Sequence, residues 1–201
     1  MKFGKRPLSF NNKSFWFWFS CKSFIPPLKV FLVVSFPAGN DTTRNTLSGG
    51  IKLLHENQNQ KDLLLNDKGL LPNFINETVR CVSPVIHMRR TSLEETEING
   101  QKIGPYEKIA LWYGAANRDP DIFKNPDEFN ILRENADKHL AFGIGRHTCL
   151  GKPIALMQLK EFYSQFLTKF KDFEMNGDWK VAPNNFVHAI QEMPIKFKVR
   201  K

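Results

Sequence analysis

The stretch that most limits what this chain can fold into is Phe142–Gly151, FGIGRHTCLG. Three glycines surround one cysteine, with His147 two places before it and Arg146 three before. Gly143 and Gly145 permit backbone conformations and close approaches that other residues forbid. A helical pattern follows directly, from about Thr148 to Phe170. Its apolar residues Ile154, Leu156, Leu159, Phe162, Phe166 and Phe170 mostly share one face. Cys149 is therefore expected at a helix start, where unpaired N–H groups and the helix dipole favour a thiolate over a thiol.

The rest of the chain supplies a frame for that loop. Its 201 residues are enough for one domain with a sizeable core. Composition is ordinary for a soluble globular protein apart from 18 phenylalanines. Cys21, Cys81 and Cys149 are too few and too scattered for a disulfide framework, which points to a reducing, cytoplasmic setting. No CxxC pair signals a structural zinc. Six of the nine net positive charges fall in residues 1–37, on Lys2, Lys5, Arg6, Lys13, Lys22 and Lys29, with no acid among them. The charge thus marks a basic, aromatic lead rather than the main body, and it indicates no nucleic-acid partner. Neither FWFWF nor VFLVVSF approaches the ~20 apolar residues of a membrane span, although a basic and aromatic segment can bind a membrane surface.

Helices are predicted over about Ala38–Glu56, with Pro37 in the first turn, over Lys61–Asn66, and over Pro72–Val82, stopped by Ser83-Pro84. Strand-like content follows in VIHMRRT, ETEI and KIALW. Asn99-Gly100 between ETEI and QKI reads as a two-residue hairpin turn. Residues 117–141 show no period and read as an irregular, ordered connector, and IKFKV near the end alternates as a strand. The fold class is mainly α with a small antiparallel β-sheet.

A thiolate in a glycine-lined loop can approach a flat, bulky ligand, with Arg146 and His147 placed to meet negative groups on it. Haem fits, having an iron that needs an axial ligand and two propionates that need partners. Other chemistries stay open on these residues alone. A phosphate loop is one, though Gly143-Ile144-Gly145 lacks the further glycines. A Cys–His nucleophile using His147 or His139 is another, and a buried structural cysteine is the third. Two more segments bear on the choice. In PAGNDTTRN, Asp41, Thr42 and Thr43 place an acid beside hydroxyls in a predicted helix, where they can relay protons or simply cap the helix start. In ETVR, Glu77 and Arg80 stand three apart on one helix face; taken alone, that spacing is better explained as a solvated surface pair.

In this order and spacing the three segments closely resemble the cytochrome P450 family, from about residue 38 to the C-terminus. Phe142, Gly145, Cys149 and Gly151 match its FxxGxxxCxG signature, AGNDTT its oxygen-activation helix, and ETVR its ExxR pair. NPDEFNILR, ending in Arg133, is similar to the segment completing a Glu-Arg-Arg cluster. The resemblance implies the C-terminal part of the P450 fold, lacking the N-terminal helices, as a partial domain over 38–201 behind a dissimilar segment 1–37. It implies haem b bound through Cys149 as axial iron ligand. Phe142, Gly143 and Gly151 would lie around that cysteine, Arg90 and His147 would bind propionates, and Ala38 and Gly39 would keep the helix close to the haem. Asp41 and Thr42 would guide protons during oxygen activation. Glu77, Arg80 and Arg133 would form a buried structural cluster. The implied reaction is mono-oxygenation of a small lipophilic substrate, such as a sterol side chain or branched lipid, by O2, with electrons from a ferredoxin or flavoprotein. The chain is expected to be a truncated piece that retains haem weakly or not at all by itself. The alternative is a non-enzymatic, inactive fragment that binds membrane surfaces through residues 1–36.

Overall fold

A computed structural model of the protein describes residues 26–199. Most of the basic lead, with the surface-binding role expected of it, lies outside the described residues. The chain divides into two compact units, residues 1–38 and 39–201, and the candidate site residues from Gly39 onward belong to the second.

Helix α1 spans Pro26–Glu56. The sequence predicts a start at Pro37, but the helix reaches back to Pro26 and Pro37 is interior to it. Local chemistry disfavours that position by about 3 kcal/mol, since proline removes one i→i−4 hydrogen bond. Helix α2, Gln58–Asn66, begins three residues earlier than its pattern suggests. Helix α3, Leu71–Val82, carries a proline in its first turn and ends where Ser83 enters the left-handed region at φ 40°. The Ser83 N–H closes the last turn on the Val79 carbonyl at 3.0 Å, and Pro84 prevents continuation.

Among the described residues, the β structure is four separate two-stranded antiparallel ladders rather than one small sheet. Strands β1 (His87–Thr91) and β4 (Lys108–Trp112) form the first. Strands β2 (Thr96–Ile98) and β3 (Gln101–Ile103) form the expected hairpin. Its turn residues Asn99 and Gly100 have φ of 49° and 79°, the double positive φ that a tight primed turn demands. After the single turn α4, Tyr113–Ala116, the irregular connector runs to the cysteine loop.

Helix α5 covers Lys152–Lys169, with Gly151 as its N-cap residue, so it starts four residues later than expected. Its buried face is Leu159, Tyr163, Phe166 and Leu167. Ile154 is exposed, and Phe170 instead opens a strand. The actual seam therefore advances through positions i, i+4, i+7 and i+8, a face that the phenylalanine spacing only half reveals. Strand β5 (Phe170–Met175) pairs with β8 (Ile195–Val199), and β6 (Lys180–Val181) with β7 (Ile190–Glu192). The phenylalanine excess is partly spent where α5 meets the β5–β8 ladder. There the Phe166 ring lies 5.3 Å from Phe173 and 5.8 Å from Phe197.

The core lies where α1, α3 and α5 meet. Leu54, Phe74 and Tyr163 are fully buried, and the Phe74 and Tyr163 rings meet edge to face at 4.8 Å. Tyr163 donates its hydroxyl to the Leu47 carbonyl of α1 at 2.9 Å, and burial pushes that phenol far above its ordinary range. Gly50 makes this contact possible, because a Cβ there would overlap the Tyr163 hydroxyl and approach Thr78 Cγ2 to 2.9 Å. Gly50→Ala should therefore destabilise the fold by about 2 kcal/mol through overpacking, despite alanine's better helix propensity. Urea denaturation measures this; an unchanged or raised midpoint would contradict the packing argument.

Candidate functional site

Glu77 and Arg80, on α3, are not a solvated surface pair: both are fully buried. Arg80 grips the carboxylate with two parallel bonds, Nε to Oε2 at 2.7 Å and Nη2 to Oε1 at 2.8 Å. Arg133, from the connector, adds Nε to the same carboxylate at 3.1 and 3.2 Å. Two guanidinium groups against one carboxylate leave a net positive charge, and backbone carbonyls offset it. Arg80 donates to the carbonyls of Asn117, Pro126 and Glu128, and Arg133 to those of Lys124, Asn125 and Glu128. A connector without regular hydrogen bonds is thus held in one shape by side-chain donors.

Cys81, the next residue, is packed against the same cluster. Burial, and then the Glu77 carboxylate, push its thiol up to about 11. It stays protonated at neutral pH and is chemically inert.

Cys149 is the opposite case. Its side chain is exposed, on a loop that doubles back on itself. The Cys149 N–H donates to the Phe142 carbonyl at 2.8 Å, and Lys152 N–H donates to the Cys149 carbonyl at 3.2 Å. Gly143 and Gly145 have φ of 70° and 65°, as the loop's glycines suggest. A Cβ at Gly143 would press to 3.0 Å on the His147 carbonyl, whereas one at Gly145 would meet nothing within 4 Å. Cys149 does not begin α5; it precedes it by three residues, following the short 3-10 turn Gly145–His147. Phe142, Gly143, His147, Cys149 and Gly151 are therefore gathered on one loop, with a Cβ at Gly151 only 3.7 Å from Sγ of Cys149. Ile144, Leu150 and Ile154 flank the cysteine in sequence and are more than half exposed. An exposed sulfur, open space over Gly145 and apolar flanks suit a flat, largely apolar ligand that is bound through sulfur.

The remaining residues lie on other elements. Ala38 and Gly39 are exposed on α1. One turn on, Asp41 is half exposed and its Oδ1 accepts from Arg44 Nη2 at 3.3 Å and from Asn40 Nδ2 at 3.3 Å. Thr42 is partly buried, and its carbonyl accepts from Thr46 Oγ1 at 2.8 Å. Arg90, on β1, donates Nη1 to the Arg89 carbonyl at 2.9 Å.

Two buried polar residues lie near the loop; sequence reasoning misses Asn117 and names His139 only as a partner for a cysteine nucleophile. Asn117 is fully buried and reaches both the end of α3 and the entry to the loop. His139 is buried against the Phe142 ring at 5.7 Å, and its Nδ1 accepts from the Ala141 N–H at 3.3 Å. Burial, and then the charge of Lys152, lower its pKa from 6.5 to about 4. Unfolded imidazole takes a proton near 6.5 and the folded one only near 4. Stability from this group is therefore complete above pH 6.5 and is lost as pH falls toward 4. The wild type should lose about 2 kcal/mol through this residue between pH 7 and pH 5. Urea titrations of wild type and His139→Phe at both pH values test it; equal pH dependence in the two would refute the assignment.

Comparison with known proteins accords with this arrangement. The chain matches the family model for cytochrome P450 over residues 27–199. It is 39% identical over 170 residues to cytochrome P450-terp of a Pseudomonas species, covering 85% of this chain and 40% of that protein. It is 39% identical over 162 residues to the steroid C26-monooxygenase of Mycobacterium tuberculosis, covering 79% and 40%. Among solved structures, cytochrome P450-153 from Novosphingobium aromaticivorans superposes with a TM-score of 0.80 at 39% identity, over 83% of this chain and 42% of that one. These are helix-rich haem-thiolate proteins by family, and this chain belongs to the cytochrome P450 family. It spans about 40% of the length of the curated relatives it matches. Among the described residues, no helix is long and apolar enough to cross a membrane.

Proposed function

We propose that residues 38–201 are the body of a partial P450 domain, whose family match reaches back to residue 27, and serve a monooxygenase that places one atom of O2 in a lipophilic substrate. The observation that carries this reading is the exposed Cys149, held on a braced glycine loop within a chain of this family. Haem b, when bound, supplies the binding and activation of O2. Cys149 would hold its iron through Sγ. Phe142, Gly143 and Gly151 would limit solvent access to that sulfur. Arg90 and His147 would donate to the propionates, and Ala38 and Gly39, with little or no side chain, would let their helix lie close to the cofactor. Asp41 would hold a proton at its carboxylate and pass it toward the Thr42 hydroxyl. The exposed pairing of Asp41 with Arg44 is weak enough to exchange.

A steroid side chain or branched lipid is the substrate class favoured, supported by the likeness to a steroid C26-monooxygenase. A ferredoxin or flavoprotein would deliver electrons, with Arg146 and Lys152 beside the loop attracting an acidic partner. A reducing, cytoplasmic setting agrees with the free thiols Cys81 and Cys149.

The test is a carbon monoxide difference spectrum of the dithionite-reduced chain with haem in excess, so that weak retention does not hide the signal. A red-shifted, thiolate-type band is expected. Its absence would overturn the reading.

A further inference from the structure

We infer that Asn117 is a positioning residue that couples the buried Glu77–Arg80–Arg133 cluster to the cysteine loop. The inference rests on the haem-thiolate reading only for its spectroscopic arm. Asn117 is fully buried and ends the single turn α4. Its carbonyl accepts from Arg80 Nη1 at 2.8 Å, which ties it to the cluster. Its Nδ2 donates to Ser83 Oγ at 2.7 Å, at the left-handed cap of α3. Its Oδ1 accepts from the Leu140 N–H at 2.6 Å.

Leu140 continues the relay. Its carbonyl accepts from the Gly143 N–H at 2.8 Å, fixing the turn that brings Phe142 round. The Phe142 carbonyl then receives the Cys149 N–H at 2.8 Å. Every link from Glu77 to the amide of Cys149 is thus a hydrogen bond or a neighbouring peptide. Within this relay, the Asn117 side chain joins the end of α3 to the entry of the cysteine loop. An Asn side chain suits the place because it needs both a donor and an acceptor. Its donor meets a hydroxyl and its acceptor meets a backbone N–H that has no place in a ladder or helix. Without Oδ1, the Leu140 N–H is left partly buried and unpaired, and the cheapest relief is movement of the loop entry.

Amide hydrogen exchange of the haem-free full chain tests this, comparing wild type, Asn117→Ala and Asn117→Asp. Asn117→Asp keeps an acceptor for Leu140, and the Ser83 hydroxyl, which donates to the Arg80 carbonyl at 2.9 Å, must give up that bond to donate to the new carboxylate. Exchange at residues 139–149 should quicken about tenfold in Asn117→Ala, with α3 and β5 unchanged, and return toward wild type in Asn117→Asp. Unchanged exchange at 139–149 in a folded Asn117→Ala would overturn the inference. If Asn117→Ala unfolds throughout, Asn117→Asp decides alone, and loss of loop protection there would overturn it equally. With haem and carbon monoxide, Asn117→Ala should convert part of the red-shifted band to the unshifted form, and Asn117→Asp should recover it. A wild type lacking the red-shifted band would sink the haem reading while the exchange comparison still decides the role of Asn117.

Discussion

Glu77→Gln should cost about 3–5 kcal/mol, the largest stability loss expected for a single change in this chain. The amide keeps the shape of the carboxylate and removes its charge. Arg80 and Arg133 then sit against each other with no counterion, at 0% and 6% side-chain exposure. Water cannot reach them, and neither can relax outward without abandoning the connector carbonyls that they hold. The amide nitrogen would also face guanidinium donors where an acceptor is needed. A domain of this size has only about 5–15 kcal/mol in reserve, so Glu77→Gln should fold marginally or accumulate as aggregate. Arg44→Ala serves as the contrast. It breaks an ion pair of similar sequence spacing, but one whose partners are 62% and 49% exposed, and should change stability by no more than about 0.5 kcal/mol. Urea midpoints of the two variants measure the difference. Near-equal values would mean that burial does not govern the cluster.

That contrast also explains what the sequence can disclose. Glu77/Arg80 and Asp41/Arg44 have the same three-residue spacing, and nothing local separates them. Their difference comes from Asn117, Pro126, Glu128 and Arg133, which approach Glu77 and Arg80 across 37 to 56 residues of chain. Family resemblance points to such a cluster where spacing cannot. The Asn99-Gly100 turn is legible because its backbone requirement is contained in two residues. The stop of α3 is legible for the same reason, at Ser83-Pro84. The reach of α1 through Pro37 is not, since local propensity opposes it. The start of α5 is displaced to Lys152 because the cysteine loop continues as turns through Gly151, although the apolar pattern begins earlier. Asn117 was invisible for a further reason. It lies in a polar, aperiodic stretch, and its side-chain partners Ser83 and Leu140 are 34 and 23 residues away.

Cys149→Ser should abolish the whole thiolate-type carbon monoxide band, whereas Cys81→Ser and Cys21→Ser should leave its position unchanged. The state of each sulfur sets this difference. Cys81 is packed against Glu77 and Arg80, and its thiol is pushed up to about 11, so it offers no thiolate at neutral pH. Cys21 lies outside the described residues, so its variant is a control rather than a deduction. Cys149 alone among the described cysteines is exposed, with open space over the neighbouring Gly145. Serine differs from cysteine there by one atom, and a hydroxyl does not supply the soft, anionic sulfur that gives the red shift. Loss of the band could also arise from unfolding, and stability separates the two causes. Since the Cys149 side chain is exposed, its replacement should move the urea midpoint by no more than about 0.5 kcal/mol. A stable Cys149→Ser chain that still gives the red-shifted band would show that another residue holds the iron. A stable one that loses it, beside a Cys81→Ser chain that keeps it, ties the chemistry to the loop and leaves the buried cluster a purely structural task.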